Sequence, residues 1–278
     1  MYQGQVSVLL CVVDVMVSGV TQLHDVVYIV RSHMFSLPIS RFSATTHERL
    51  ACISIRGLTD AHDIAACEIT SQLYVTDNLE CIWRVSSEGE HIRRWWTKSS
   101  SDTFTPHRLS VTSSRVLVTS RYTKQLMKLD SRGKELRRVP LPDYMDYIQH
   151  AVESPAGTTF IVVHKNTQLK HDQVSEVNTE GDVLRQFSRS LSRYARHIAT
   201  DSQGNIFVAD NDNRRILLLD ARLALRRVII DEQLRYMPYC LCYNEQSGQL
   251  LVGVDDGGFR ESGVGVDVIV FDVLRRSR

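Results

Sequence analysis

The chain has 278 residues, 43% of them apolar, which is enough to bury a sizeable core within a single domain. Its 33 basic and 32 acidic residues leave a formal charge of +1, so no overall field draws it toward nucleic acid or an acidic membrane. The six cysteines, at 11, 52, 67, 81, 240 and 242, show no C-x-x-C spacing and read as reduced core residues of a cytoplasmic protein.

At the front, Val6 to Leu10 alternates like a strand. The apolar stretch from Val6 to Val20 lacks a basic start and carries Asp14, so it is neither a secretory leader nor long enough to cross a bilayer. A first inner strand is expected around Val12 to Val17, followed by Val26 to Val30, Ile39 to Phe42 and Leu50 to Ile55. From there the chain repeats. Four copies align over residues 71–95, 114–139, 157–187 and 204–227, each with two alternating apolar runs, a turn and a third run. The turn is explicit in Ser87-Glu88-Gly89, Ser131-Arg132-Gly133 and Thr179-Glu180-Gly181, where glycine supplies the positive φ of a tight hairpin.

A short run precedes each copy and a further one follows the last, beginning at Asp63, Arg108, His150, His197 and Cys240. The intervals average about 44 residues, the length of a four-stranded propeller blade. The expected fold is all-β, a six-bladed propeller of four-stranded antiparallel blades in one domain over residues 1–278. The last unit ends after Phe271-Asp272-Val273 without an outer strand, so residues 5–10 are expected to pair with it and close the ring. Residues 97–105 and 255–265 read as long surface loops.

Residues 197–220, HIATDSQGNIFVADNDNRRILLLD, resemble an NHL repeat, with its Gly-Asn turn, its apolar-Val-Ala-Asp strand and its Asn-Arg-Ile strand. Other copies depart from it: Asp77 keeps the strand-ending Asp, while Ser120 and His164 replace it. The resemblance implies the six-bladed propeller found at the C-terminus of tripartite-motif proteins, where it serves as a recognition platform for protein or RNA. The RING, B-box and coiled-coil parts of such proteins have no counterpart in this sequence.

In such a ring, the loops between second and third strands share one face with the blade-to-blade connections. That face carries Arg121, Tyr122, His164, Lys165, Asn166, Asn211 and Arg214, together with Tyr144, Tyr147, Arg193 and Tyr194. Tyrosine mixed with arginine suits a protein interface, or single-stranded nucleic acid stacking on rings; a solvated loop face is the plainer alternative. Arg-Arg pairs at 93, 137 and 226 recur on outer strands, where charge blocks edge-to-edge pairing. Asp210 and Arg215 are expected to form an ion pair that fixes their loop.

Asp63, Arg108, His150 and His197 start successive inner strands and should ring the channel mouth, with His62 and His107 one residue earlier. Imidazoles beside a carboxylate suit a transition metal, but Arg108 in the same ring repels one, and hydrated channel walls need no ligand. No metal or other cofactor is expected. No nucleophile elbow, P-loop, dinucleotide fingerprint or His-Glu-x-x-His occurs. The sequence reads as a non-enzymatic, monomeric platform for a protein or peptide on the loop face, with no membrane role. An RNA-binding propeller and a metal-dependent lactonase, esterase or lyase are the alternatives.

Overall fold

The computed structural model describes residues 6–10, 16–32, 38–77, 80–120, 122–188, 191, 194–230, 236–255 and 266–273. Among them there is no helix, and the strands form six antiparallel four-stranded sheets. Blade 1 runs outward through β2 (Val17–Leu23), β3 (Val26–Arg31), β4 (Ile39–Ser43) and β5 (Arg49–Ile53). Blade 2 is β6 (Ala61–Cys67), β7 (Gln72–Asp77), β8 (Cys81–Ser86) and β9 (Ile92–Thr97). Blade 3 is β10 (Pro106–Thr112), β11 (Arg115–Ser120), β12 (Gln125–Leu129) and β13 (Glu135–Pro140). Blade 4 is β14 (Met145–Glu153), β15 (Thr159–Asn166), β16 (His171–Asn178) and β17 (Val183–Phe187). Blade 5 is β18 (Ala195–Thr200), β19 (Ile206–Asp210), β20 (Arg215–Leu219) and β21 (Leu225–Ile230).

Blade 6 takes three consecutive strands, β22 (Met237–Asn244), β23 (Gln249–Asp255) and β24 (Val266–Asp272), and its fourth from β1 (Val6–Leu10). Val6 faces Phe271 and Leu9 faces Val268 in an antiparallel ladder, so the outer edge of β24 is covered. The first inner strand is Val17–Leu23, later than the expected Val12 to Val17, because the apolar run continues through Val20 to Leu23 before His24-Asp25 turns the chain. Residues 11–15 lie outside the described residues, as does most of the expected 255–265 loop.

Each blade buries both faces, which is why strands such as Ile206 to Ala209 are apolar at every position. Successive side chains alternate between two neighbours: Ile206 and Val208 pack with blade 4, Phe207 and Ala209 with blade 6. The core is therefore six separate layers, one at each blade junction, the last joining Val268 and Cys240 of blade 6 to Val17 and Phe42 of blade 1.

The turns between third and fourth strands lie against the preceding blade. Gly181 has φ 94°, and a Cβ there would run into the Pro140 carbonyl, so both conformation and space require glycine. In blade 5 the same turn places Leu223 at φ 60°, where the side chain is buried in the junction with blade 4. The Arg-Arg pairs lie on β9, β13 and β21, the outer strands, in keeping with a solvated edge. Arg138 pairs with Asp102 at 2.5 Å and Arg226 with Asp220 at 2.8 Å.

Candidate functional site: the channel ring and the loop face

The inner strands share one irregularity. In each, the register with the second strand slips immediately before Gly19, Asp63, Arg108, His150, His197 and Cys240. A bulge bends the strand and re-aims the residue that follows, so these six positions form one layer around the channel. The four expected channel residues belong to it. Gly19 and Cys240 complete it and were missed, since neither side chain carries a charge; the constant spacing was the signal that could have found them.

The layer lies below the mouth rather than lining it, because all four expected residues are buried, Asp63 at 1% exposure and His197 at 6%. The reason is an unmet need of the inner strands, whose channel-side N–H and C=O groups have no further strand to pair with. Ring side chains supply the partners. The Leu109 N–H donates to Asp63 Oδ2 at 2.9 Å, that of Ile198 to His150 Nδ1 at 3.4 Å, and that of Leu241 to His197 Nδ1 at 3.3 Å. Each acts on the next blade. Arg108 reaches backward, donating through Nη1 to the Ser18 carbonyl and, at 3.0 Å, to that of His62. Gly19 is small because its neighbour fills the space: a Cβ there would lie 2.8 Å from Asp63 Oδ1.

These bonds fix the protonation states. With Nδ1 accepting, His150 carries its proton on Nε2 and donates it to the Leu109 carbonyl at 3.0 Å. His197 Nε2 faces Asp63 Oδ2 at 3.8 Å, an electrostatic contact too long for a hydrogen bond. Burial holds His150 well below its ordinary range, with His197 adding to the effect; burial likewise lowers His197. Burial alone would raise Asp63, but His197, Arg108 and His150 bring it down to about 2.

Donor atoms of Asp63, His150 and His197 lie within 4.8 Å of one another, the spacing of a metal site. They do not aim at a common point. The two imidazoles stack with centroids 3.6 Å apart and planes 20° apart, so their in-plane lone pairs run side by side. Both His150 nitrogens are occupied by backbone, and Arg108 stands 3.7 Å from Asp63. On the far side of this layer the channel widens into a cavity of about 430 Å3, with His150 and His197 at its floor and Glu68 and Glu245 at its rim.

On the opposite face, second-to-third-strand loops and blade connections meet as expected: the Asn211 N–H donates to the Tyr194 carbonyl, and that of Thr167 to the Tyr144 carbonyl, both at 3.1 Å. Tyr122, Tyr147, Tyr194, Lys165 and Arg214 are exposed there, and Tyr144 is half-buried. Arg121 and Arg193 lie outside the described residues. Three loop-face expectations are corrected. His164 lies inside β15, fully buried, 2.9 Å from Ser175 Oγ, and burial lowers its pKa to about 4. Asn166 is buried at the end of the same strand, where its amide donates to Gln173 Oε1 and its Oδ1 accepts from the N–H groups of Gln168 and Leu169. Asn211 is buried with its amide on the Pro238 carbonyl at 3.1 Å.

The cause in blade 4 is an extended hairpin. β15 and β16 have 8 residues each, against 5 in β19 and β20, so the chain that would be loop elsewhere is strand. The Asp210–Arg215 ion pair forms as expected, Nε to Oδ2 at 2.7 Å. Sequence reading also missed Asp172, a buried carboxyl on β16 that accepts from the Ala195 N–H at 2.7 Å and is pushed up to about 7 by burial.

No protein-family model matches the sequence, and no curated protein matches it. Solved structures do. The chain is similar to a gluconolactonase from Xanthomonas campestris, with TM-score 0.71 and 10% identity over 97% of this chain and 89% of that one. It is similar to a chain of the nidogen/laminin complex, with TM-score 0.66 and 15% identity over 81% and 84%. A chain of Kuenenia stuttgartiensis hydrazine synthase gives TM-score 0.62 and 12% identity over 92% and 96%. The fold is a six-bladed β-propeller. At such identities the likeness speaks for the fold alone, and these neighbours include both an enzyme and a partner in a protein complex. No helix among the described residues is long and apolar enough to cross a membrane.

Proposed function

We propose that the protein is a non-enzymatic, NHL-type recognition platform that binds a protein or peptide segment on the loop face of blades 3 to 5. One observation carries this reading. Of the nine large apolar side chains exposed among the described residues, Tyr122, Tyr147, Leu169 and Tyr194 cluster on that face of three consecutive blades. Solvated loops do not need large rings, whereas tyrosines are enriched at the anchors of protein interfaces. Exposed Lys165, Lys170 and Arg214 lie among them, so the complementary segment carries acidic residues. The ring lends support from the other side: both His150 nitrogens, His197 Nδ1 and Asp63 Oδ2 are taken by backbone groups and Arg108 stands beside Asp63, which weighs against a hydrolytic metal.

Selection from a displayed random-peptide library tests this reading. Binders with Kd of roughly 1–100 μM are expected, and Tyr122→Ala, Tyr147→Ala and Tyr194→Ala together should weaken them by about tenfold or more without changing the melting temperature. Selected peptides indifferent to the triple substitution would move the interface elsewhere. Salt-sensitive binding of a single-stranded RNA 12-mer, with no peptide selected, would favour the nucleic-acid reading.

A further inference from the structure

The residue before each ring position sits on the bulge, one step nearer the loop face. His62, His107, Gln149, Arg196 and Tyr239 occupy these places in blades 2 to 6. Their contacts close the mouth into a cup. The His62 and His107 rings lie 5.4 Å apart. Arg108 of blade 3 reaches across the channel, its guanidinium 5.1 Å from the centre of the Tyr239 ring of blade 6, and floors the cup. Arg196 is held between two rings, 4.8 Å from Tyr194 and 5.5 Å from Tyr239.

The cup is rich in donors and short of acceptors. The Nε of Arg108, a residue only 3% exposed, and the Nε of Arg196 are both buried without a hydrogen-bond partner among the described residues. Arginine has no lone pair to offer and stays charged, so a guanidinium without a carboxylate partner calls for an acceptor at the part of its fork that stays accessible, and Arg196 is only half-buried. Asp63 already faces Arg108 at 3.7 Å. Asp172 feels the charge of Arg196 but does not pair with it: its Oδ2 is on the Ala195 N–H, its Oδ1 is buried without a hydrogen-bond partner, and burial raises the carboxyl to about 7, so it is a weak counter-charge. Among the described residues no carboxylate forms an ion pair with Arg196. Stacking between two aromatic rings holds its planar fork in one orientation, which lowers the entropy lost on binding.

We propose that this cup at the loop-face mouth binds a carboxylate, supplied by an Asp or Glu side chain of the segment lying across blades 3 to 5, with Arg196 as its principal ligand. The inference rests on the recognition reading for the source of the carboxylate, and on the cup alone for its chemistry. A side chain is favoured over a chain terminus because the exposed tyrosines continue past the cup along successive blades, so the segment passes over the mouth.

Titration with glutarate tests the chemistry, followed by calorimetry in wild type and variants and, in 15N-labelled wild type, through the Arg196 side-chain Nε–H resonance. Saturable shifts are expected with glutarate and none with neutral glutaramide. Arg196→Gln should weaken glutarate at least tenfold and Arg196→Lys, which keeps the charge and loses the fork, about threefold or more. No shift with glutarate, or equal saturation by sulfate, overturns the carboxylate site. The source is tested on a selected peptide: an Asp→Asn or Glu→Gln change in the peptide should cost about tenfold, whereas a C-terminal amide should cost nothing. If the amide alone abolishes binding, the side-chain assignment is wrong. The two readings fail separately, because glutarate reports on the cup even when no peptide is selected, and peptides can bind while glutarate leaves Arg196 unmoved.

Discussion

Blades 4 and 5 are neighbours built on one template, and they differ where the template meets the loop face. In blade 5, β19 ends at Asp210, whose carboxylate takes Arg215 Nε at 2.7 Å and the Asn213 amide at 2.8 Å, closing a compact loop within the blade. In blade 4 the corresponding place is His164, inside a longer hairpin, and three residues, Tyr147 to Gln149, fill the inner-strand bulge that a single residue fills elsewhere. Tyr147 takes φ 44° there and presents its ring to solvent, with Lys165 Nζ 5.5 Å from the ring centre. Blade 5 keeps the repeat because the repeat is self-sufficient. Blade 4 departs from it partly for packing, since Ile148 of the bulge is buried in the junction with blade 3, and partly by leaving Tyr147 and Lys165 in solvent; exposed departures of that kind mark a surface shaped for something else.

If that contrast is right, the largest stability effect belongs to blade 5. Asp210→Ala removes the buried acceptor of Arg215 and Asn213 and should cost on the order of 2–4 kcal/mol in chemical denaturation, because the remaining donors lose their partner. A loss under about 0.5 kcal/mol would show that the loop closes without it.

Next comes pH dependence, which sharpens the contrast at blade 4. Asp172 is raised by burial from the usual carboxylate range to about 7. Between those values the folded state holds a proton that the unfolded state has released, so this contribution to stability falls as pH rises and is fully lost above about 7. Asp172→Asn keeps an oxygen for the Ala195 N–H and removes the charge. Its stability relative to wild type should therefore improve by on the order of 2 kcal/mol between pH 5 and pH 8. The lowered histidines act in the opposite direction: His150, His164 and His197 are neutral in the fold, so their share is complete above about pH 6.5 and declines as pH falls below it. A pH-independent difference between Asp172→Asn and wild type would remove Asp172 as the cause.

The smallest effect is local. Asn166→Ala deprives the N–H groups of Gln168 and Leu169 of their acceptor at the hairpin tip, where those residues are exposed. It should lower stability by about 1 kcal/mol and speed amide exchange at 168–170 while leaving blade 5 protected. Equal loss of protection in both blades would mean that they open as one unit.

The propeller was legible because a blade buries two faces, giving apolar runs such as Leu73 to Val75 and Ile206 to Ala209 that recur at a constant interval. The ring was legible in part for the same reason, since Asp63, Arg108, His150 and His197 stand out as polar starts to apolar strands. The blade 4 extension was hidden. Lys165, Asn166, Asp172 and Gln173 look like loop residues, yet they pair across β15 and β16, with Lys165 opposite Asp172 and His164 opposite Gln173. Polar side chains that satisfy one another inside a sheet carry the same sequence signature as a solvated turn. The cup was legible only in part, through His62 and His107 at the channel mouth, because the reach of Arg108 across the channel to Tyr239 depends on ring geometry that no local pattern encodes.

The ladder between β1 and β24 also sets the order in which the molecule can assemble. Val6 and Phe271 are partners at almost the greatest sequence separation the chain offers. During synthesis the first strand emerges long before the strand it needs. Five blades can form from neighbouring hairpins, but the sixth must wait for the chain to come full circle, and such high contact order makes that step slow. The entropic cost of so long a closure grows only with the logarithm of its length, so the finished ring loses little stability by it. The exposure is kinetic: until the two strands meet, the edge of β24 can accept the first strand of a second copy, and circles of this kind then close between molecules instead of within one.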